Sequence, residues 1–184
     1  MTVRQDEFEQ TALPHARGLL RVARRIAPDP ASAEDLVQET LFRAWRSFDQ
    51  FRKGTNARAW LFRILFNAFY AQGRKARASP VVVSLPQPGG GREPRDGESL
   101  SVIDAAAVTQ AMAELSREHR SVLLLGVVEG FTCREIAEIL SLPMGTVMSR
   151  LSRARQALRE RLGPAPSDIP GRPARVACAE SEGP

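Results

Sequence analysis

The sequence predicts an all-α protein of two small helical domains joined by a flexible linker, the second containing a helix-turn-helix. Three observations predict it. Apolar residues recur at three- and four-residue steps through most of residues 7–79 and 104–162, the spacing of helices that bury one side. Between those segments, residues 80–103 turn to prolines, the triplet Gly89-Gly90-Gly91 and scattered charge, too little apolar surface to fold alone. Residues 132–162 then place a capping pair, a proline-containing turn and a second amphipathic stretch in immediate succession.

The first helix is expected over Glu7–Ala27, with Pro14 a point of re-initiation, on an apolar stripe of Ala12, Ala16, Leu19, Leu20, Ala23 and Ile26. Pro28-Asp29-Pro30 ends it. Ser32 is the expected cap of the second helix, followed by Glu34 and Asp35, whose charges suit a helix amino terminus. Ala33, Leu36, Val37, Leu41, Ala44 and Phe48 give that helix its core face. Asp35, Gln38, Glu39, Phe42 and Arg46 cluster on the opposite face, with Trp45 at the edge. An aromatic ring among carboxylates and an amide is either a protein-docking surface or an isolated exposed residue of the ordinary kind.

Asp49–Thr55 reads as a polar turn broken at Gly54, after which Asn56 caps a helix running to about Ala78. Trp60, Leu61, Ile64, Leu65, Ala68 and Phe69 supply its buried side. Asn67, Tyr70, Arg74 and Lys75, with Arg63 nearby, project elsewhere. Basic residues interleaved with aromatics are what single-stranded nucleic acid needs, because phosphates pair with cations and unstacked bases lie on rings. The competing account makes Trp60, Phe62, Phe66, Phe69 and Tyr70 mostly core, and for most of them it is the better one.

In the second domain Asp104 and Ser116 are expected caps. Val108, Ala111, Met112 and Leu115 are apolar on the first helix, and Val122–Val128 form the buried core of the next, which Gly130 ends. His119 is expected on an exposed first turn. Thr132 and Glu135 have the capping-box spacing, in which hydroxyl and carboxylate each satisfy an orphan amide. Ile136, Ala137, Ile139 and Leu140 follow, and Ser141-Leu142-Pro143 turns the chain. The helix from Thr146 to Leu162 buries Val147, Leu151, Ala154, Leu158 and Leu162, while Ser149, Arg153 and Gln156 point away. Thr146 and Arg150 flank that outward face near the end a recognition helix inserts into the major groove, where Arg reaches guanine and hydroxyls reach phosphates. An ordinary helical hairpin with a solvated arginine face is the alternative. Residues 163–184 are expected to be a disordered tail, with Cys178 an incidental thiol.

Composition narrows the function classes. The net charge of +5 is uneven: residues 1–79 hold 14 basic and 8 acidic side chains, whereas residues 104–162 hold 8 and 7. A positive field concentrated in the first domain suits a polyanion partner. Only two cysteines and two histidines occur, none spaced as a nucleophile-base pair or a metal site, so no catalytic residue, metal or cofactor is expected. His15 has no second metal-binding side chain near it. No apolar run reaches membrane-spanning length and no signal peptide is expected, so a reducing cytoplasm is the default.

The runs AEDLVQETLFRAW at 33–45, RAWLFRILFNAFY at 58–70 and EGFTCREIAEILSLPMGTVMSRLSRARQALRERL at 129–162 together resemble a bacterial RNA polymerase sigma factor of the extracytoplasmic-function group. The resemblance covers most of residues 8–162, in order, and is more specific than a helix-turn-helix alone. It implies a first domain (7–79) that docks on the clamp helices of core RNA polymerase and recognises the minus-ten element, a flexible linker (80–103), and a second domain (104–162) that reads the minus-thirty-five element.

By resemblance, the polymerase contacts fall on Asp35, Gln38, Glu39, Phe42 and Trp45. Minus-ten contacts to single-stranded DNA fall on Phe51, Arg52, Asn56, Arg63, Asn67, Tyr70, Arg74 and Lys75, the Phe48–Asn56 turn corresponding to a family loop that captures a flipped base. Contacts to the double-stranded upstream element fall on Thr146, Ser149, Arg150 and Arg153. An anti-sigma factor is a further implied partner, and no membrane is. Two departures stand out. Met148 occupies a position where relatives usually carry Lys or Arg, and FNAFYAQGRK lacks the acidic residue many relatives place near Ala71. Competing readings are a sigma mimic that sequesters an anti-sigma factor and a stand-alone helix-turn-helix regulator, the latter leaving the first domain unexplained.

Overall fold

Seven α-helices and no strand occur among the described residues of the computed structural model, which are 3–52, 54–78 and 105–162. They divide between two units, Met1–Glu93 and Pro94–Pro184. The linker and tail expectations, Asp104, Lys53 and Cys178 lie outside the described residues, as does the side chain of Lys75.

In the first unit α1 (Val3–Ile26), α2 (Pro30–Arg46) and α3 (Ala57–Ala78) each pack on the other two. Leu19, Val22, Leu36, Leu61, Phe62, Leu65 and Phe66 are fully buried between them. At roughly 1.5–3 kcal/mol for each large apolar side chain, this burial is the main force holding the three helices together. It also explains a correction: α1 starts earlier than expected and runs straight through Pro14. A proline inside a helix costs about 3 kcal/mol, and burial of Ala12, Leu19, Val22 and Ile26 offsets it.

A second correction concerns α2. Its cap is Asp29, not Ser32: the Asp29 carboxylate accepts from the Ser32 backbone N–H at 2.8 Å and from the Ser32 hydroxyl at 2.6 Å. Those bonds lower the Asp29 pKa, the hydroxyl contributing most. Pro30, read as a terminator, opens the helix instead, because the first helical position needs no N–H and favours the fixed proline φ. Thr40 is buried at the centre of the expected core face, its hydroxyl donating to the Leu36 carbonyl at 2.7 Å. Phe48–Gln50 form a short 3-10 turn, Gly54 takes the left-handed φ of 88°, and the Asn56 side chain accepts from Ala59 N–H at 3.0 Å to cap α3.

The second unit holds α4 (Ala105–Ala113), α5 (Arg117–Leu123), α6 (Cys133–Leu140) and α7 (Met144–Leu162). Ser116 caps α5 by accepting from His119 N–H at 3.3 Å, and His119 is half-buried rather than exposed. Arg120 closes the end of α4, donating to the carbonyls of Met112 (2.9 Å), Leu115 (3.1 Å) and Ala113. A cation there complements the negative helix terminus. Beyond Leu123 the chain widens into a π-helical turn, Leu124–Val128. That turn rotates Val127 outward, 56% exposed, against the expectation of a core running to Val128.

The capping box is present: Thr132 N–H donates to the Glu135 carboxylate at 2.8 Å, and Glu135 N–H to the Thr132 hydroxyl at 3.2 Å. Ser141 takes the left-handed conformation at φ 53°, so that Leu142 N–H reaches the Ala137 carbonyl at 2.9 Å and closes α6. Helix α7 begins at Met144, two residues before the expected start, since Thr146 and Val147 N–H already donate to the Pro143 carbonyl. Ile136, Ile139, Val147, Leu151 and Ala154 are buried, and Leu158 and Leu162 half-buried. Gly126 lies where an added Cβ would meet Ile136 and Leu151 at 3.4 and 3.5 Å, an indication of how tightly this core is packed.

Candidate nucleic-acid and polymerase interfaces

The first surface lies along α2. Asp35, Gln38, Phe42 and Arg46 are exposed and Glu39 is half-buried. Phe42 is 56% exposed with the Arg46 guanidinium 5.8 Å from its ring centre. Glu39 is held by Arg43, Oε1 to Nε 2.6 Å, one helical turn on. The chemistry is that of a protein anchor: one apolar ring standing out of a polar rim. Trp45 departs from this patch. It is half-buried, with Phe8 edge-on at 5.2 Å and the Arg4 guanidinium 4.5 Å from its ring centre.

The second surface combines the 3-10 turn with α3. Phe51 stacks on buried Phe48 at 6.1 Å and tilts against Trp60 at 4.8 Å, so it is half-buried, while Arg52 and Asn56 are exposed. Along α3, Arg63, Asn67, Tyr70 and Arg74 follow one another at steps of four, three and four residues, which places them on one ridge. Arg63, Asn67 and Arg74 are exposed. Tyr70 is half-buried, held by Phe66 at 6.3 Å and Phe69 at 5.5 Å. Phe62, Phe66 and Phe69 are core, as the competing account of this helix held; Trp60 and Tyr70 are only half-buried. The result is a cationic ridge with one fixed ring in its middle, chemistry suited to a phosphate backbone with a base stacked out of it.

The third surface is the outward side of α7. Ser149 and Arg153 are exposed, Thr146 and Arg150 half-buried, and the Ser149 hydroxyl donates to the Thr146 carbonyl at 3.1 Å. The Glu118 carboxyl is held below its ordinary range chiefly by its own backbone N–H, against partial burial, with the Ser116 hydroxyl and the charges of Arg150 and His119 adding to it. Met144 and Met148 are 53% and 44% exposed. Among the described residues no group of three His, Cys, Asp or Glu side chains could hold a metal ion, and no helix is long and apolar enough to cross a membrane.

Residues 12–79 match Sigma-70 region 2 and residues 105–158 match Sigma-70, region 4. The chain is 40% identical over 146 residues to the ECF RNA polymerase sigma factor SigL of Mycobacterium tuberculosis, covering 79% of this chain and 82% of that one. It is 32% identical to the RNA polymerase sigma-E factor of Streptomyces coelicolor, covering 85% and 86%. Among solved structures, the sigma factor RpoE of Bartonella quintana, in complex with the anti-sigma factor NepR, superposes with a TM-score of 0.71 at 35% identity over 85% of this chain and 96% of that one. CnrH, in complex with the cytosolic domain of CnrY, gives 0.62 at 27% identity over 85% and 87%. With both regions present in order and relatives this similar along most of their length, the chain belongs to the ECF sigma factors, the subunits that give RNA polymerase its promoter specificity.

Proposed function

We propose that the three surfaces divide the work of a sigma factor. The α2 face of Asp35, Gln38, Glu39 and Phe42 docks on core RNA polymerase. The ridge of α3, with Phe51, Arg52 and Asn56 of the preceding turn, holds the melted minus-ten strand, and Thr146, Ser149, Arg150 and Arg153 read the upstream duplex. Roles follow the division 7–79, 80–103, 104–162 and 163–184. The observation that carries this reading is the single ridge formed by Arg63, Asn67, Tyr70 and Arg74, cationic and exposed except at its one anchored ring. Phosphodiester chemistry belongs to the polymerase, so the chain has no catalytic residue of its own and works in the cytoplasm beside that enzyme. Because the Bartonella relative is in complex with an anti-sigma factor, the same kind of partner is expected to bind this chain.

Transcription by core polymerase with and without the chain tests the assignment. Promoter-dependent initiation is expected only with it, and failure to bind core at sub-micromolar concentration contradicts it. Phe42→Ala is expected to weaken core binding about tenfold or more, the cost of truncating a central aromatic anchor. A mimic that sequesters an anti-sigma factor would bind that factor yet leave the polymerase silent.

A further inference from the structure

Arg4 lies on the first turn of α1, yet its contacts are with residues 41 to 45 positions away. Its Nη2 donates to the Trp45 carbonyl at 3.1 Å, its Nε lies 3.0 Å from Asp49 Oδ1, and its guanidinium carbon is 4.5 Å from the Trp45 ring centre. Trp45 is in the last turn of α2, at the negative end of the helix, which favours a cation. Asp49 is the middle residue of the 3-10 turn. One guanidinium therefore joins the end of α2 to the turn that follows it.

Phe8, one helical turn after Arg4, meets the same region from the interior, edge-on to Trp45 at 5.2 Å and to Phe48 at 5.3 Å. Phe48 in turn carries Phe51, which rests on Trp60. The aromatic stack fixes the inner side of the turn, but its outer side, where Asp49, Arg52 and Asn56 are exposed, is tied by Arg4.

We propose that Arg4 is a positioning residue: by clamping Trp45 and Asp49 it sets the 3-10 turn, and with it Phe51 and Arg52, in the conformation that captures the melted strand. This rests on the assignment of that turn to single-stranded DNA. The pair is open to solvent, with side chains 42% and 75% exposed, and exposed pairs contribute little to stability. Its loss leaves the three-helix unit folded, so an effect on strand capture is separable from an effect on folding.

The test uses the full chain with core polymerase on a promoter mapped from its own transcripts, with permanganate reactivity of unpaired thymines as the measure of melting. Arg4→Ala is expected to reduce melting about two- to fivefold, the range that an exposed contact of this kind can set, with core affinity and thermal midpoint unchanged. Arg4→Asp is expected to be at least as defective, and Arg4→Lys, which keeps a cationic donor beside the Trp45 carbonyl and Asp49, to retain more melting than Arg4→Ala. Melting equal to the parent in Arg4→Ala, or an equal loss of core affinity and melting, overturns the clamp. Phe51→Ala separates the two layers: if it impairs melting while Arg4→Ala does not, the clamp alone fails. If Phe51→Ala leaves melting unchanged, the assignment of the turn fails and the clamp falls with it.

Discussion

Helices α3 and α7 are both long and arginine-bearing, 22 and 19 residues, yet they differ in what stands between the charges. In α3 the exposed arginines Arg63 and Arg74 flank Asn67 and a tyrosine that is braced by two phenylalanines. In α7 the spaces around Arg150 and Arg153 hold Thr146, Ser149 and Ser152, and the helix has no aromatic residue. Charge alone attracts any polyanion. The residues between the charges decide its form: a ring takes an unstacked base, whereas small side chains let a helix lie in a groove and leave guanidinium groups to reach base edges. The units differ in the same sense, the first carrying the larger excess of positive charge over residues 1–79 and the second being nearly neutral over 104–162.

The largest expected effect comes from removing the scaffold of one reader. Ile136 is fully buried where α6 meets Gly126, and Ile136→Ala is expected to destabilise the second unit by about 2–5 kcal/mol. Upstream binding should fall with it while transcription from a pre-opened template persists, as chemical denaturation and template-specific transcription would show. A smaller effect follows from Thr132→Ala, which deletes the cap of α6 and costs about 1 kcal/mol. It should lower the thermal midpoint of the second unit and leave that of the first in place. The smallest effect is electrostatic. Met148→Lys adds a cation at an exposed position of α7, and the salt dependence of promoter binding should steepen by about one unit in log–log slope. An unchanged slope would show that this position does not face a phosphate.

Much of this comparison was legible in the sequence. The capping box at Thr132 and Glu135 is a local device, complete within four residues, and it forms as its spacing implies. The helical periods identified Ala12, Leu19, Leu36, Leu61, Leu65, Val147 and Leu151 as core, while Ala16, Leu20, Leu41 and Ile64 of the same stripes are only half-buried. The cap of α2 was harder. Asp29 displaced Ser32 because Pro30 is favoured at the first helical position, a signal present in the sequence but read as a stop. Long-range contacts left no local mark. Nothing around Trp45 announces that Phe8 and Arg4 close over it, so an indole read as part of the docking face is half-buried beside it. The outward turn of Val127 likewise follows from a π-helical widening that an apolar run does not encode.

The central claim is that α3 holds melted DNA and α7 reads duplex DNA, and one paired measurement addresses it. Holoenzymes carrying Tyr70→Ala or Arg153→Ala are compared for binding to a fully duplex promoter and to the same promoter with its minus-ten strands mismatched open. Tyr70→Ala should cost about 1–3 kcal/mol, and only where an unpaired base must be held. Arg153→Ala should cost about 1–3 kcal/mol wherever the upstream duplex is intact, and lose its effect when that element is scrambled. Equal losses for both variants on every template would contradict the division of labour between the two helices.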